Sequence, residues 1–382
     1  MRILIVSGEA SGDLHGSGVV TAIKQREPSI EIFGVGGDLM QKAGCKLIYH
    51  IEQLSVMGFT EILRHLPLIR RVLRNLDNFL NSQRPDMVIL IDYPDFNLRL
   101  ARKIRKYDIP ILYYISPQVW AWRARRIQTI VKLVDCIAVV FPFEVELYKK
   151  AGGKVFFVGH PILEVLKSQK TKSVFCDQAG LDPNRLIVGI LPGSRIMEIK
   201  KMLPEMLDTL MEVKKGISEV QGIVGLAPTI SYSDVAEYLK GKDDIPVVAY
   251  DTYEIMKHSD VLLVTSGTAT LESAFFGTPL LVLYRMSRLS WFIAHRLVKI
   301  PYIGLVNVVA GTRIAPEFLQ DEVKPSVIAP VVTELLMEPK KRSSMTKKLL
   351  QVKYKLGTPG ASSRVAELAL NILTSRVSKT LL

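Results

Sequence analysis

Short apolar runs alternate with longer amphipathic stretches along this chain. Residues 2–6 form a β-branched run. The small-residue segment Ser7-Gly8-Glu9-Ala10-Ser11-Gly12-Asp13 follows, and then a helical spacing through Val19, Val20 and Ile23. Strand, glycine-rich loop and helix in that order open an α/β unit. Further runs at 30–35, 87–91, 111–115, 136–140 and 155–158 are apolar throughout. Strands apolar on both faces suit a parallel sheet covered by helices. Pro67 is expected to open a helix in which Ile69, Val72, Leu73, Leu76, Phe79 and Leu80 share one face, with Arg70, Arg71 and Arg74 off that stripe.

The same grammar restarts in the second half. After Gly159-His160-Pro161, the polar stretch 164–178 reads as a linker. A strand at 186–191 then leads into Pro192-Gly193-Ser194-Arg195 and a helix from about Glu198. Later strands are expected at 222–226, 247–248, 261–264 and 280–283. Two doubly wound, Rossmann-like α/β domains facing a central cleft are therefore predicted, with ligands at the carboxyl ends of the strands. The expected division is 1–165 and 166–345, followed by a basic helical tail at 346–382 that packs back on the first domain or on a partner subunit.

Composition narrows the function. Fifty Lys+Arg against 37 Asp+Glu give a net charge of +13, which favours an anionic partner. No nucleic-acid-binding signature accompanies the charge, so phosphorylated substrates or an anionic membrane surface are preferred to nucleic acid. The three cysteines, Cys45, Cys136 and Cys176, form neither a CxxC pair nor a zinc set and suggest reduced thiols in the cytosol. No signal peptide and no run of about 20 apolar residues is seen. The six histidines show no ligand spacing, and neither a metal nor a cofactor is expected.

Three segments carry candidate chemistry. Gly193, Ser194 and Arg195 follow a strand and open a helix, where free N–H groups and the helix dipole attract a phosphate and Arg195 adds a fixed charge. A Walker lysine is absent, which argues against ATP hydrolysis. Ser266, Gly267, Thr268 and Thr270 repeat that arrangement after the strand at 261–264. Glu272, one turn on, is suited either to the hydroxyls of a ribose or to capping the helix. Asp92 ends a buried strand, where desolvation raises a carboxyl toward general-base range; Asp95 is the better candidate for capping the next helix. Gly12 and Asp13 belong to the first loop, which is glycine-rich without being GxGxxG and suits the approach of a second substrate. Two further segments mix apolar and basic residues, one with Phe59, Ile62, Leu63 and Leu66, the other spanning 285–296. Either alone suits ordinary burial, but together with the net charge of +13 they are expected to dip apolar groups into lipid while their arginines meet its phosphates.

Taken together, SGEASGD, VMGFTEIL, LIDYPDFN, YYISPQVWAWR, FVGHP, LPGSR, SGTATLE and PEFLQ resemble the lipid-A-disaccharide synthases in order and spacing, across essentially the whole chain. The resemblance implies a GT-B glycosyltransferase that joins UDP-2,3-diacylglucosamine to 2,3-diacylglucosamine 1-phosphate (lipid X), with inversion, on the inner face of the inner membrane. It implies UDP-diacylglucosamine contacts at Asn307, Glu317 and Gln320 beside the two loops, an essential carboxylate at Asp92, and acceptor-side positions at Gly12, Asp13 and Asn97. A homodimer is compatible with it. Val306 stands where the family usually carries proline, Thr312 where a basic residue is common and His15 where an apolar residue is frequent. A UDP-N-acetylglucosamine 2-epimerase and a non-catalytic binder of anionic lipid are the competing readings.

Overall fold

The computed structural model describes residues 1–53, 62–118, 125–287, 291 and 301–380. They form two compact units: Met1–Glu164 together with Leu356–Leu382, and Val165–Lys355. Each is built on one parallel sheet.

In the first unit the strands are β1 (Arg2–Val6), β2 (Glu31–Gly36), β3 (Lys46–His50), β4 (Met87–Ile91), β5 (Ile111–Tyr114), β6 (Cys136–Val139) and β7 (Val155–Phe157). They lie in the order β3-β2-β1-β4-β5-β6-β7. All five residues of β4 are buried, as a central parallel strand covered on both faces requires. Each such side chain contributes roughly 1.5–3 kcal/mol relative to exposure. Leu73, Leu76 and Leu80 of the helix Ile62–Gln83 pack into this core beside Leu4, Val88 and Leu90.

The second unit contains β8 (Leu186–Leu191), β9 (Val220–Leu226), β10 (Val247–Ala249), β11 (Val261–Thr265), β12 (Leu280–Tyr284) and β13 (Glu317–Leu319), in the order β10-β9-β8-β11-β12-β13. The helix Ile196–Gly216 lays Leu203, Met206, Leu207 and Leu210 over the sheet beside Val188 and Ile190.

Strand order, more than any single element, positions the chemistry. In each unit the chain winds outward from its first strand and returns to that strand's other side. β1 pairs with β4, Val6 opposite Leu90, and β8 pairs with β11, Leu191 opposite Val264. These are the two switch points, and the loops leaving the paired strand ends are neighbours there.

Several elements differ from expectation. Pro67 lies inside the helix Ile62–Gln83, which begins a turn earlier than a proline start would place it. The stretch 164–178 is not a free linker. It carries the helix Lys172–Ala179, which buries Phe175 and Cys176 and is capped by Thr171. Its polar residues are tied down as well: buried Glu254 accepts Ser168 Oγ at 2.6 Å and the Gln169 N–H at 2.9 Å. Strands β3 and β13 escape the apolar-run criterion because both are edge strands of mixed polarity.

The final helix, Ala361–Thr380, rejoins the first unit and packs on the helix Ala10–Arg26. Glu164 holds its start, accepting the N–H groups of Gly360 and Ser362 at 3.0 Å and Ser362 Oγ at 2.7 Å. Gly18 sits at the crossing, where a Cβ would stand 2.5 Å from Ser362 Oγ.

Candidate active site

The second unit holds a cavity of about 480 Å³ at the β8/β11 switch point. One wall is Gly193, Ser194 and Arg195, and another is Thr265 to Ala269 with Glu272. Gly193 has φ +117°, a left-handed value that glycine adopts without strain. Arg195 is the residue before the helix Ile196–Gly216, and its side chain is 79% exposed. Thr268 precedes the helix Ala269–Phe276. Two helix starts whose N-cap side chains make no cap bond thus border one space, an arrangement that favours an anion.

The two loops are 70 residues apart in sequence and adjacent only because β8 pairs with β11. Ser266 Oγ donates to the Ile303 carbonyl at 3.0 Å, and Thr270 Oγ1 to that of Gly267 at 2.8 Å. Thr265 Oγ1 is buried with no partner among the described residues. Glu272 makes no side-chain cap bond at Thr268; burial pushes its carboxyl up to about 7.

Asn307, Glu317 and Gln320 do not line the cavity. Asn307 is fully buried and saturated. Its Nδ2 donates to the Ala315 carbonyl and to Glu317 Oε1, both at 2.8 Å, while its Oδ1 accepts from Ile314 and Ala315. Glu317 also accepts the N–H groups of Ile303 at 3.0 Å and Gly304 at 2.9 Å. This network fixes Ile303, whose carbonyl holds Ser266, so both residues reach the cavity only through that loop. Gln320 has φ +51°, its carbonyl accepts Arg285 Nε at 3.2 Å, and its Nε2 is unpartnered among the described residues.

The carboxyl edge of the first sheet carries Asp92, directly after β4. Asp92 and Tyr93 both have positive φ, 44° and 46°. Such backbone costs about 1–3 kcal/mol per residue and persists only where neighbours impose it. Asn97 imposes it: its Nδ2 donates to the carbonyls of Ile91 at 3.1 Å and Asp92 at 2.8 Å. Tyr113 Oη adds a bond to the Asp92 carbonyl at 2.9 Å. Burial pushes the Asp92 carboxyl up to about 6; nearby Glu9 adds to the shift, and a Tyr93 backbone hydrogen bond opposes it.

The first loop is shorter than expected, because Gly12 and Asp13 lie in the first turn of the helix Ala10–Arg26 and not in the loop, and packing shapes both parts. A Cβ on Gly8 would lie 2.2 Å from the Tyr93 ring, and one on Gly12 would lie 2.9 Å from Ser7 Cβ. Asp13, expected on the acceptor side, is buried, and its carboxylate accepts the N–H groups of Gly37 at 2.7 Å, Leu39 at 3.1 Å and Met40 at 3.0 Å. It anchors the helix Asp38–Lys42. Asp95 does not cap its helix either: Tyr93 holds that position, and Asp95 pairs with Arg126 at 2.5 Å. Arg285, read as a lipid-facing cation, is committed internally to Glu205 at 2.6 Å and to the Val323 carbonyl. Phe59 lies outside the described residues, as do the side chains of Ile62, Leu63 and Leu66. So do residues 288–290 and 292–300 of the second basic-apolar segment.

Sequence reasoning missed several residues on the cavity wall: Glu198, Pro228, Tyr250, Thr252, Tyr253 and Met256. Glu198 lies one turn beyond the Gly193-Ser194-Arg195 loop, and the others follow β9 and β10 in segments without a glycine motif. Their position after a strand end was the one available signal.

A family model described as Lipid-A-disaccharide synthetase matches residues 3–372. The chain belongs to the lipid-A-disaccharide synthase family. The lipid-A-disaccharide synthase of Geobacter sulfurreducens is 41% identical over 377 residues, covering 98% of each chain, and that of Syntrophus aciditrophicus is 42% identical over 373 residues, covering 97% of each. As a member of the lipid-A-disaccharide synthase family, the chain is a glycosyltransferase. Its GT-B architecture is shared with the UDP-GlcNAc 2-epimerase of Neisseria meningitidis bound to UDP-GlcNAc (TM-score 0.66, 16% identity, covering 97% of this chain and 100% of that one). It is shared as well with the glycotransferase of kitacinnamycin (TM-score 0.65, 15% identity, covering 97% and 98%). At such identities the likeness is one of fold alone.

Proposed function

We propose that the chain transfers the diacylglucosamine unit of UDP-2,3-diacylglucosamine to the 6-hydroxyl of lipid X, with inversion, giving the β-1,6-linked disaccharide and UDP. The observation that carries the donor side is a cavity bordered by both helix starts, with Glu272 on its wall. In this reading Gly193, Ser194, Arg195, Ser266, Gly267, Thr268 and Thr270 hold the diphosphate, and Glu272 takes the ribose hydroxyls. Asn307 and Glu317 serve as positioning residues behind Ser266.

Asp92 is the base. Its carboxylate accepts the proton of the acceptor 6-hydroxyl as that oxygen bonds to the anomeric carbon. The bond from this carbon to the UDP oxygen breaks, and UDP leaves with the electron pair. Helix N–H groups and Arg195 stabilise the charge that develops on the leaving diphosphate. Asn97 holds the Asp92 backbone, and Gly12 lets the helix Ala10–Arg26 start close against Ser7 on the acceptor side.

The acylated substrates place the reaction at an anionic membrane surface, on the inner face of the inner membrane. The net charge of +13 and the apolar residues Phe59, Ile62, Leu63 and Leu66 support that placement. No described helix is long and apolar enough to cross a membrane.

Incubation with UDP-2,3-diacylglucosamine, with and without lipid X, tests the proposal. UDP release that requires lipid X is the expected result. Conversion of the donor without an acceptor would overturn it in favour of epimerase-like chemistry.

A further inference from the structure

The anion site of the second unit already contains an anion belonging to the chain. Glu198 lies in the first turn of the helix Ile196–Gly216 and lines the cavity. Its Oε2 accepts the Ser194 N–H at 3.0 Å, and its Oε1 accepts Arg195 Nη1 at 3.0 Å. The backbone is shaped around this carboxylate: a Cβ on Gly193 would lie 2.5 Å from Glu198 Oε2. The Glu198 side chain is 18% exposed, whereas that of Arg195 is 79% exposed. The carboxylate is therefore the enclosed member of the pair. The dipole and N–H groups that favour a phosphate at a helix start favour a first-turn carboxylate for the same reason.

We propose that Glu198 is an internal competitor for the diphosphate cradle: it holds the Ser194 N–H and Arg195, yields them to the donor diphosphate, and retakes them as UDP leaves. The inference rests on the donor-site reading above and adds a residue that weakens nucleotide binding. A diphosphate entering beside Glu198 either displaces the carboxylate from its two donors or meets its charge across the cradle. Both oppose binding. The benefit lies in turnover, because product release sets the rate of many enzymes.

Glu198→Gln keeps an oxygen that can accept the Ser194 N–H and removes the charge. UDP affinity, measured by calorimetry on the full chain, is expected to tighten about two- to fivefold, the scale of one largely exposed ion pair. UDP should also become a stronger product inhibitor by a similar factor. Glu198→Ala should move both quantities in the same direction. Uridine, which has no phosphate, should bind wild type and variants equally. Unchanged or weaker UDP binding in both variants, with uridine unaffected, would overturn the proposal and leave Glu198 as a helix cap. An equal shift for uridine would overturn it too, by marking a general change in the cavity. Uridine binding without UDP binding by the wild-type chain would instead sink the diphosphate assignment of the cradle, and this inference with it.

Discussion

At the scale of single residues, Asp92 shows what burial and strain do together. Its backbone is left-handed, and its carbonyl is pinned by Asn97 and Tyr113. Its carboxyl sits at about 6, chiefly through burial. A base must be ionised to accept a proton, so kcat/KM should fall as pH drops through about 6 and level off above it. Glu9→Gln removes the second contributor to the shift, so the acid limb should move to lower pH. Asp92→Asn should lower turnover by about 10²–10⁴-fold, the scale of general-base catalysis, with UDP affinity unchanged. A pH–rate series with calorimetric UDP titration checks all three outcomes. The sequence identified Asp92 from its place at a strand end. It did not show the positive φ of Asp92 and Tyr93, because that conformation is imposed by side chains from other elements.

At the scale of elements, the segment from Ile303 to Glu317 is held by a buried polar network. Glu317→Ala would strip an acceptor from the Ile303 N–H, the Gly304 N–H and Asn307 Nδ2. Unmet buried groups cost about 1–3 kcal/mol each, so urea denaturation should show the second unit destabilised by about 3 kcal/mol. UDP affinity should also fall, because the Ile303 carbonyl holds Ser266. An unchanged affinity at reduced stability would separate this segment from the cavity. Asn307 and Glu317 stood out through family resemblance, which marks importance without distinguishing contact from support. The strap at 168–170 teaches the same lesson. Polar composition looked like a linker, but those residues are hydrogen-bonded to a buried carboxylate on another helix.

At the scale of the whole molecule, the chain leaves the first unit at Glu164 and rejoins it at Leu356. Glu164→Ala removes three hydrogen bonds from the start of the last helix. A loss of about 1–2 kcal/mol is expected from such a cap, with faster proteolysis near residues 356–360 and unchanged UDP binding. Membrane association belongs to this scale as well. Replacing Phe59, Ile62, Leu63 and Leu66 by serine should release the protein from anionic vesicles in a flotation assay, with the thermal transition retained. Persistent binding would assign the attraction to the basic charge instead, and added salt would then weaken it.

The sequence by itself determined the class of fold, because strand-length apolar runs and helical spacing record how each segment is buried. It also determined the family, because SGEASGD, LPGSR, SGTATLE and the other motifs occur in one order along the chain. Only the tertiary structure decided which groups meet. The pairing of β8 with β11 set two loops 70 residues apart around one cavity. Packing committed Asp13, Asn307 and Glu317 to backbone and side-chain partners, and left Glu272 on the cavity wall with a raised carboxyl. Local burial leaves a periodic trace in sequence. Hydrogen-bond partners contributed by separate elements leave none, since any polar residue of suitable reach reads the same until the chain is folded around it.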